Sequence, residues 1–217
     1  MNVEQRDELL QQMHETELGG VKVYEAALTC VLNEDLKEEW EKYLAQTKRH
    51  VEIVQELMTA LGVRPLETPG RLVVWHIGVS LVGAIKLAKR TAPPEAAEIV
   101  ACESIVHAET KDHANWELLT TYGQAVKGQD EMPIAEADCF DDRKFLVWSD
   151  EKKAIDGATD EIEDEEDEHL YHSKGWCREL AIASLGLKAV LPPPEEQKDV
   201  KTAIGAARAK QARTELI

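Results

Sequence analysis

Residues 163–172 read EDEEDEHLYH, a stretch that combines a strongly acidic run with two histidines. The run 160–168 is interrupted only by Ile162, and such a concentration of acids is typical of a solvent-exposed helix face. Glu166 and His169, however, stand three residues apart, and on a helix this spacing places both side chains on one face. The stretch is therefore either a solvated acidic run or one quarter of a buried metal site.

The composition favours a single globular domain. The chain has 217 residues, of which 43% are hydrophobic and 31% charged. Its net charge of −17 argues against binding to nucleic acid and against attraction to anionic lipid. The charged N-terminus does not resemble a signal peptide, so we expect a cytoplasmic protein. The four cysteines form no CxxC pair, so we expect reduced thiols; they are Cys30, Cys102, Cys139 and Cys177.

The spacing of apolar residues predicts an all-α protein, and no segment alternates with a period of two. We expect a four-helix bundle over residues 1–191, with an additional apolar crossover helix between the second and third bundle helices. The predicted bundle helices cover 3–32, 33–62, 93–123 and 149–191, the crossover helix covers 71–90, an irregular insertion covers 123–148, and a peripheral tail covers 192–217. Asn33 and Ser149 are predicted N-caps, and Gly157, Gly175 and Gly186 are candidate bends in the last helix.

The segment 72–88, LVVWHIGVSLVGAIKLA, is apolar enough to be compared with a membrane span. It lies at the short end of the range for spanning, and His76 and Lys86 interrupt it. We interpret it as a buried or interface-covering crossover helix, with membrane contact as the less favoured alternative.

Acidic and histidine side chains occupy the apolar stripes of all four predicted bundle helices. Glu17, Glu109 and Glu166 lie within such stripes, together with His50 and His169. A buried carboxylate without a partner costs several kcal/mol or takes up a proton, as a general order of magnitude. A divalent cation offsets several negative ligands at once, so a metal site explains this collection better than hydrogen bonding does.

An internal repeat supports the metal site. The sequence E-LGGVKV-YEAAL begins at Glu17 and E-TKDHAN-WELLT begins at Glu109, so each acid precedes an aromatic residue by seven positions. His50 follows Glu17 by 33 residues and His169 follows Glu109 by 60, and the difference is close to the length of the insertion at 123–148. Two helix pairs that each offer an acid and then a histidine predict a site of approximate two-fold symmetry.

This order of ligands resembles the ferritin-like di-iron carboxylate superfamily over about residues 8–180. The motifs WHIGVSLVGA (75–84) and ESIVH (103–107) look like the demethoxyubiquinone hydroxylase group, whereas QTKRHVEIV (46–54) is similar to small bacterial stress-associated ferritin-like proteins. The resemblance implies two iron ions, with manganese or a single metal as alternatives. Carried over by position, it implies these metal ligands: Glu17, His50, Glu109, Glu166 and His169.

Two features depart from the superfamily pattern. Thr47 stands where the ExxH motif of the second helix has its glutamate, which leaves five predicted ligands. Glu103 competes with Glu109 for the third-helix position. In the acidic run, the pairs Glu165/His169 and Glu168/His172 compete with Glu166/His169. Residues expected to line or tune the site are His14, Tyr24, Thr47, His113 and Trp116.

Three functions fit these patterns. The first is a non-haem iron protein that reacts with O₂ or peroxide as an oxidase, hydroxylase or ferroxidase, with a small-molecule substrate or reductase as partner. The second is iron sequestration or storage without an organic substrate. The third is a stress-associated helical interaction protein with a vestigial metal site, which Thr47 favours. We also expect a homo-oligomer, most simply a homodimer.

Overall fold

The computed structural model describes residues 2–130 and 142–193, and it describes the side chains of these residues except at 127–130, 142–149, 161 and 163. The described residues form helices and no strand, so the all-α prediction is confirmed. The helices are α1 (Val3–Ala27), α2 (Glu34–Ala60), α3 (Pro69–Thr91), α4 (Pro94–Asp130) and α5 (Asp142–Ser184).

Four of the helices form a closed ring in which α1 contacts α2, α2 contacts α5, α5 contacts α4, and α4 contacts α1. The fifth, α3, packs on the outside against α1 and α4. This is the expected four-helix bundle with an extra helix between its second and third members.

The core consists of two apolar layers with a polar layer between them. One layer contains Trp40 and Trp176, and the other contains Met13 and Ile155. Along α1 and α5 the chain passes from the second layer to the first, whereas along α2 and α4 it passes from the first to the second. Neighbouring helices of the ring therefore run antiparallel.

This topology explains why a crossover helix is needed. Since α2 and α4 run in the same direction, the chain must return along the whole bundle between them. The 23 residues of α3 span about 35 Å at the rise of an α-helix, which is enough for that return. Thr68 caps its first turn by accepting a hydrogen bond from the Arg71 N–H, and Pro69 occupies a position where no N–H is required.

The first helix is shorter than predicted, because it ends at Ala27 and not at residue 32. The reason lies on α4, where the buried carboxylate of Glu98 accepts hydrogen bonds from the N–H groups of Leu32 and Asn33 at 2.7 and 2.9 Å. These bonds hold the chain in a tight connection. Asn33 then caps α2 as predicted, accepting from the Leu36 N–H.

The predicted irregular insertion at 123–148 is wrong at both ends. The helix α4 continues through Gly123 to Asp130, and α5 begins at Asp142, so Ser149 lies inside a helix and does not cap it. The remainder of the insertion, 131–141, lies outside the described residues.

The prediction that the last helix reaches residue 191 is also wrong. The helix α5 ends at Ser184, and Gly186 adopts a φ of 72°, a left-handed conformation that commonly follows a helix end. Gly157 and Gly175 lie within the continuous helix. The tail is described only as far as Pro193.

The crossover helix α3 is largely exposed, so the buried alternative of the prediction is wrong, and the interface-covering alternative stays a prediction. Only three of its residues are buried: Val74, Ile85 and Ala88. Its large exposed apolar side chains are Leu72, Val73, Trp75, Ile77, Val79 and Leu87. It is also the one helix among the described residues that is long and apolar enough to cross a membrane.

Two glycines on the α4–α5 pair allow a test of the packing. A Cβ atom at Gly123 would lie 2.8 Å from Cγ2 of the buried Ile155, whereas one at Gly157 would meet nothing within 4 Å. We expect Gly123→Ala to lower the free energy of unfolding by about 1–3 kcal/mol through overpacking. Gly157→Ala should raise it by about 0.5–1 kcal/mol through helix propensity. Urea unfolding of both variants measures this, and equal effects would contradict the packing described.

Candidate metal centre

The structure brings the five predicted ligand residues together in the polar layer, and all five are almost completely buried. His50 Nδ1 lies 3.8 Å from Glu17 Oε2, and His169 Nδ1 lies 3.6 Å from Glu109 Oε2. Each predicted half of the site, an acid followed by a histidine, therefore forms a close pair. The two imidazole rings are stacked, with centroids 5.6 Å apart.

Glu166 lies between the two halves. Its Oε1 atom is 3.1 Å from His50 Nδ1 and 3.9 Å from His169 Nδ1. Two groups of side chains that could hold a cation share this carboxylate. One group is His50, Glu166 and His169, and the other is Glu17, Asp112 and Glu166. A carboxylate in this position can bridge two cations.

Both histidines turn Nδ1 inwards and Nε2 outwards. His50 Nε2 lies 2.8 Å from Glu165 Oε2, and His169 Nε2 lies 3.0 Å from Gln46 Oε1. Because these partners are acceptors, each neutral imidazole donates its Nε2–H and keeps a lone pair on Nδ1. Metal-binding histidines are commonly oriented in this way by an outer hydrogen bond.

The inward-facing atoms lack hydrogen-bond partners. These buried atoms are Glu17 Oε2, His50 Nδ1, Glu109 Oε2, Asp112 Oδ1, and both Oε1 and Oε2 of Glu166. Buried polar atoms are nearly always paired, and a converging set of acceptors without a donor is unfavourable. Carboxylate oxygens and imidazole nitrogens are suitable ligand atoms for iron or manganese, so these residues fit a metal centre.

Burial and mutual repulsion shift the proton affinities of the carboxyl groups. Burial, followed by the neighbouring charges of Asp112 and Glu166, raises the pKa of Glu17. Burial and the charges of Glu166 and Glu109 likewise raise the pKa of Asp112. Burial and the charge of Glu109 raise the pKa of Glu166 to about 8. Without a cation, the site is expected to hold protons in its place.

Asp112 was not among the sequence-predicted ligands. It lies on α4 one turn after Glu109, is 4% exposed, and forms a candidate cation group with Glu17 and Glu166. Its spacing of three residues from Glu109 was a usable signal, because that spacing keeps both side chains on one helix face. The prediction followed the apolar stripe that contains Glu109, His113 and Trp116, and Asp112 lies beside that stripe.

The structure distinguishes the predicted ligands from the residues that compete with them in the sequence. Glu103 is exposed on α4, whereas Glu109 is buried in the polar layer. Glu165 contacts the outer nitrogen of His50 and does not enter the inner cluster. His172 Nδ1 lies 2.9 Å from Glu39, on the far side of Tyr43 from the cluster.

The residues expected to line the site divide into two sets. The Trp116 indole N–H donates to Glu17 Oε1 at 3.0 Å, and the Tyr24 ring packs against His169. Burial and the adjacent Glu109 carboxylate raise the pKa of Tyr24. Two other residues are not part of the inner cluster, since His14 bonds to Gln55 and His113 bonds to Asp167.

Thr47 is buried but does not point a ligand atom at the cluster. Its hydroxyl donates to the backbone oxygen of Tyr43 at 2.9 Å. Its methyl group faces Gly20 of α1, where an added Cβ atom would lie only 3.2 Å away. The hydroxyl is therefore already used within its own helix.

Together, the fold and the site define a ferritin-like helical bundle with a carboxylate–histidine core. Residues 4–184 match the family described as "Ubiquinone biosynthesis protein COQ7", and the chain belongs to this family. This is the demethoxyubiquinone hydroxylase family of ferritin-like di-iron proteins, so the resemblance found in the sequence is confirmed. No curated protein and no solved structure matches the chain.

We predict that His169→Ala weakens metal binding far more than His172→Ala. His169 turns Nδ1 towards Glu109 and Glu166, whereas His172 is held by Glu39. The loss of affinity should exceed about tenfold for His169→Ala and be small for the control. Anaerobic titration with Mn(II) measures both, and equal losses would place the metal elsewhere on α5.

We also predict that the metal-free protein loses stability as pH rises. An unfolded glutamate titrates near its ordinary pKa of 4.5, whereas the folded pKa of Glu166 is about 8. The folded state therefore binds more protons between these values, and its free energy of unfolding falls across that range and remains low above it. Bound metal replaces these protons, so the stabilisation by metal should grow over the same range.

Thermal melts from pH 5 to pH 8.5, with chelator and with Mn(II), test this pH dependence. Glu166→Gln should flatten the fall in the chelated protein, because the substituted amide does not titrate. A chelated wild-type protein whose midpoint rises or stays level with pH would contradict the electrostatics described.

Proposed function

We propose that this protein is a di-iron hydroxylase that uses O₂ and an external reductant to hydroxylate a quinone-type substrate. The observation that carries this proposal is Glu166, a buried carboxylate with two unpartnered oxygens placed between His50 and His169. Membership of the COQ7 family supplies the reaction class.

Iron bound at this site would supply the redox chemistry that activates O₂. Glu17 and His50 would hold one cation, and Glu109 and His169 would hold the other. Glu166 would contribute to both. The protein holds these groups in place from outside the cluster. Trp116 fixes Glu17 through its indole N–H, while Glu165 and Gln46 fix the two imidazole rings.

A cleft between α4 and α5 offers access to the centre. It has a volume of about 630 Å³, and its walls include Leu118, Thr121 and Thr159. Trp116 and Glu166 also line it, so the cleft reaches from the surface to the carboxylate of Glu166. A cleft of this volume lies within the range of small-molecule sites.

The exposed apolar face of α3 suits a lipophilic substrate. Quinones with long side chains reside in membranes, and α3 presents Trp75, Ile77 and Val79 outwards beside a groove of about 360 Å³ shared with α1 and α4. We propose that this face lies against the membrane surface that carries the substrate.

Two other functions predicted from the sequence receive less support. A vestigial site has no reason to retain unpartnered buried carboxylates, because exchange for apolar residues would remove their cost. Iron storage has no specific support beyond the two ligand groups that share Glu166, which a hydroxylase requires as well.

The test is a single-turnover experiment with protein loaded with Fe(II) and a demethoxyubiquinone-type quinol in lipid vesicles. Hydroxylation inserts one atom of O₂ into a ring C–H bond and reduces the other atom to water, using two electrons and two protons. We expect product that carries oxygen-18 from labelled O₂. Glu166→Gln should abolish it, and Asp164→Asn, on the same acidic run, should not.

Three results would contradict the proposal. Uptake of many iron ions for each chain without product would favour storage. A failure to bind Fe(II) would favour a vestigial site. Equal turnover with a quinol in detergent and in vesicles, together with no binding to vesicles, would remove the proposed role of α3.

A further inference from the structure

The half of the site formed by α1 and α2 lacks the ExxH glutamate. On α2, Thr47 stands one turn before His50, but its hydroxyl donates to Tyr43 and offers no charge. Without another acid, three carboxylates and two imidazoles would face two cations, one carboxylate fewer than two ExxH motifs would provide.

Asp112 supplies the missing charge from a different helix. It is on α4, and one of its oxygens lies within 4.8 Å of ligand atoms of both Glu17 and Glu166. The side chain is 4% exposed, and its Oδ1 atom has no hydrogen-bond partner. It therefore lies beside Glu17, in the half that lacks the ExxH glutamate, and beside the shared Glu166.

We propose that Asp112 is a metal ligand that replaces the carboxylate absent at Thr47, so that α4 provides two acidic ligands and α2 provides only a histidine. The proposal rests on the proposed function only for the identity of the metal. Four carboxylates then face two divalent cations, and the charges of the buried cluster cancel. With Thr47 and without Asp112, the same cluster would carry a buried positive charge.

Thr47, at the position where the second-helix carboxylate is missing, packs against α1. Gly20 on α1 has no Cβ atom, and the methyl group of Thr47 fills the space beside it. The proposal makes Thr47 and Asp112 alternative positions for one carboxylate, and this equivalence can be tested by moving the acid from one helix to the other.

The experiment is an anaerobic Mn(II) titration of the full chain and its variants by calorimetry. Wild type should bind two ions. Asp112→Asn, which keeps the shape of the side chain, should lose one ion or weaken its binding by more than about 100-fold, beyond the cost of losing an outer partner. Asp167→Asn is the matched control, because Asp167 is a half-exposed partner of His113 outside the cluster, and it should bind as wild type does.

The double variant Thr47→Glu with Asp112→Asn should regain the second ion. Melts of the chelated proteins distinguish a ligand from a structural residue. Removing a charge from the repelling cluster should leave the midpoint of chelated Asp112→Asn unchanged or higher. Two unimpaired Mn(II) sites in Asp112→Asn would overturn the proposal. A lowered midpoint together with no recovery in the double variant would overturn it as well.

These outcomes are separate from the proposed function. Mn(II) binding needs neither O₂ nor a quinol, so a protein that binds two ions through Asp112 but yields no hydroxylated product would refute only the function. A protein that hydroxylates the quinol, but binds Mn(II) equally well as Asp112→Asn, would refute only the role of Asp112.

Discussion

The structure depends on the burial of four carboxylates in one layer of a helical bundle. Glu17, Glu109, Asp112 and Glu166 converge with two imidazoles, and apolar layers lie above and below them. Each isolated buried carboxylate costs several kcal/mol as an order of magnitude, and their mutual repulsion adds to that cost. Either protons or cations must offset it. The inward lone pairs of the two histidines favour cations, because those nitrogens offer no hydrogen to the carboxylates.

The same constraint links the topology to the proposed chemistry. The four helices that supply the ligands form two pairs, and the connection between the pairs is as long as the bundle because α2 and α4 run in the same direction. The helix α3 provides that connection outside the ring, with most of its apolar surface uncovered. A helix required by topology is therefore also available as a surface for a lipophilic substrate, while the cleft between α4 and α5 reaches Glu166 from another side.

Much of this arrangement could be predicted from the sequence because it follows from helix periodicity. The five predicted ligands interrupt apolar stripes, and the structure brings all five into one layer. Periodicity could not reveal which residues pack against a glycine. Gly123 was therefore interpreted as a helix end, although it lies inside α4 where the backbone approaches the side chain of Ile155. It also could not show that Glu98 would accept hydrogen bonds from the backbone N–H groups of Leu32 and Asn33 after α1.

Asp112 shows a different limit of the sequence. The family pattern directed attention to Thr47 on α2, where a carboxylate is missing. The spacing of Asp112 from Glu109 places Asp112 on the ligand face of α4, but only the structure shows that it lies beside Glu17 and Glu166. The exposed face of α3 is a similar case, since hydropathy alone does not distinguish a helix covered by protein from one that is left uncovered.

The most direct test is anomalous diffraction from crystals grown with Mn(II) or with Fe(II) under anaerobic conditions. We predict two anomalous peaks within the polar layer, about 3.5–4 Å apart as in two-metal sites. Glu166 should bridge the peaks, with His50 Nδ1 bound to one and His169 Nδ1 to the other. Peaks found only along the exposed acidic face of α5, or no peak between the two histidines, would contradict the metal centre described.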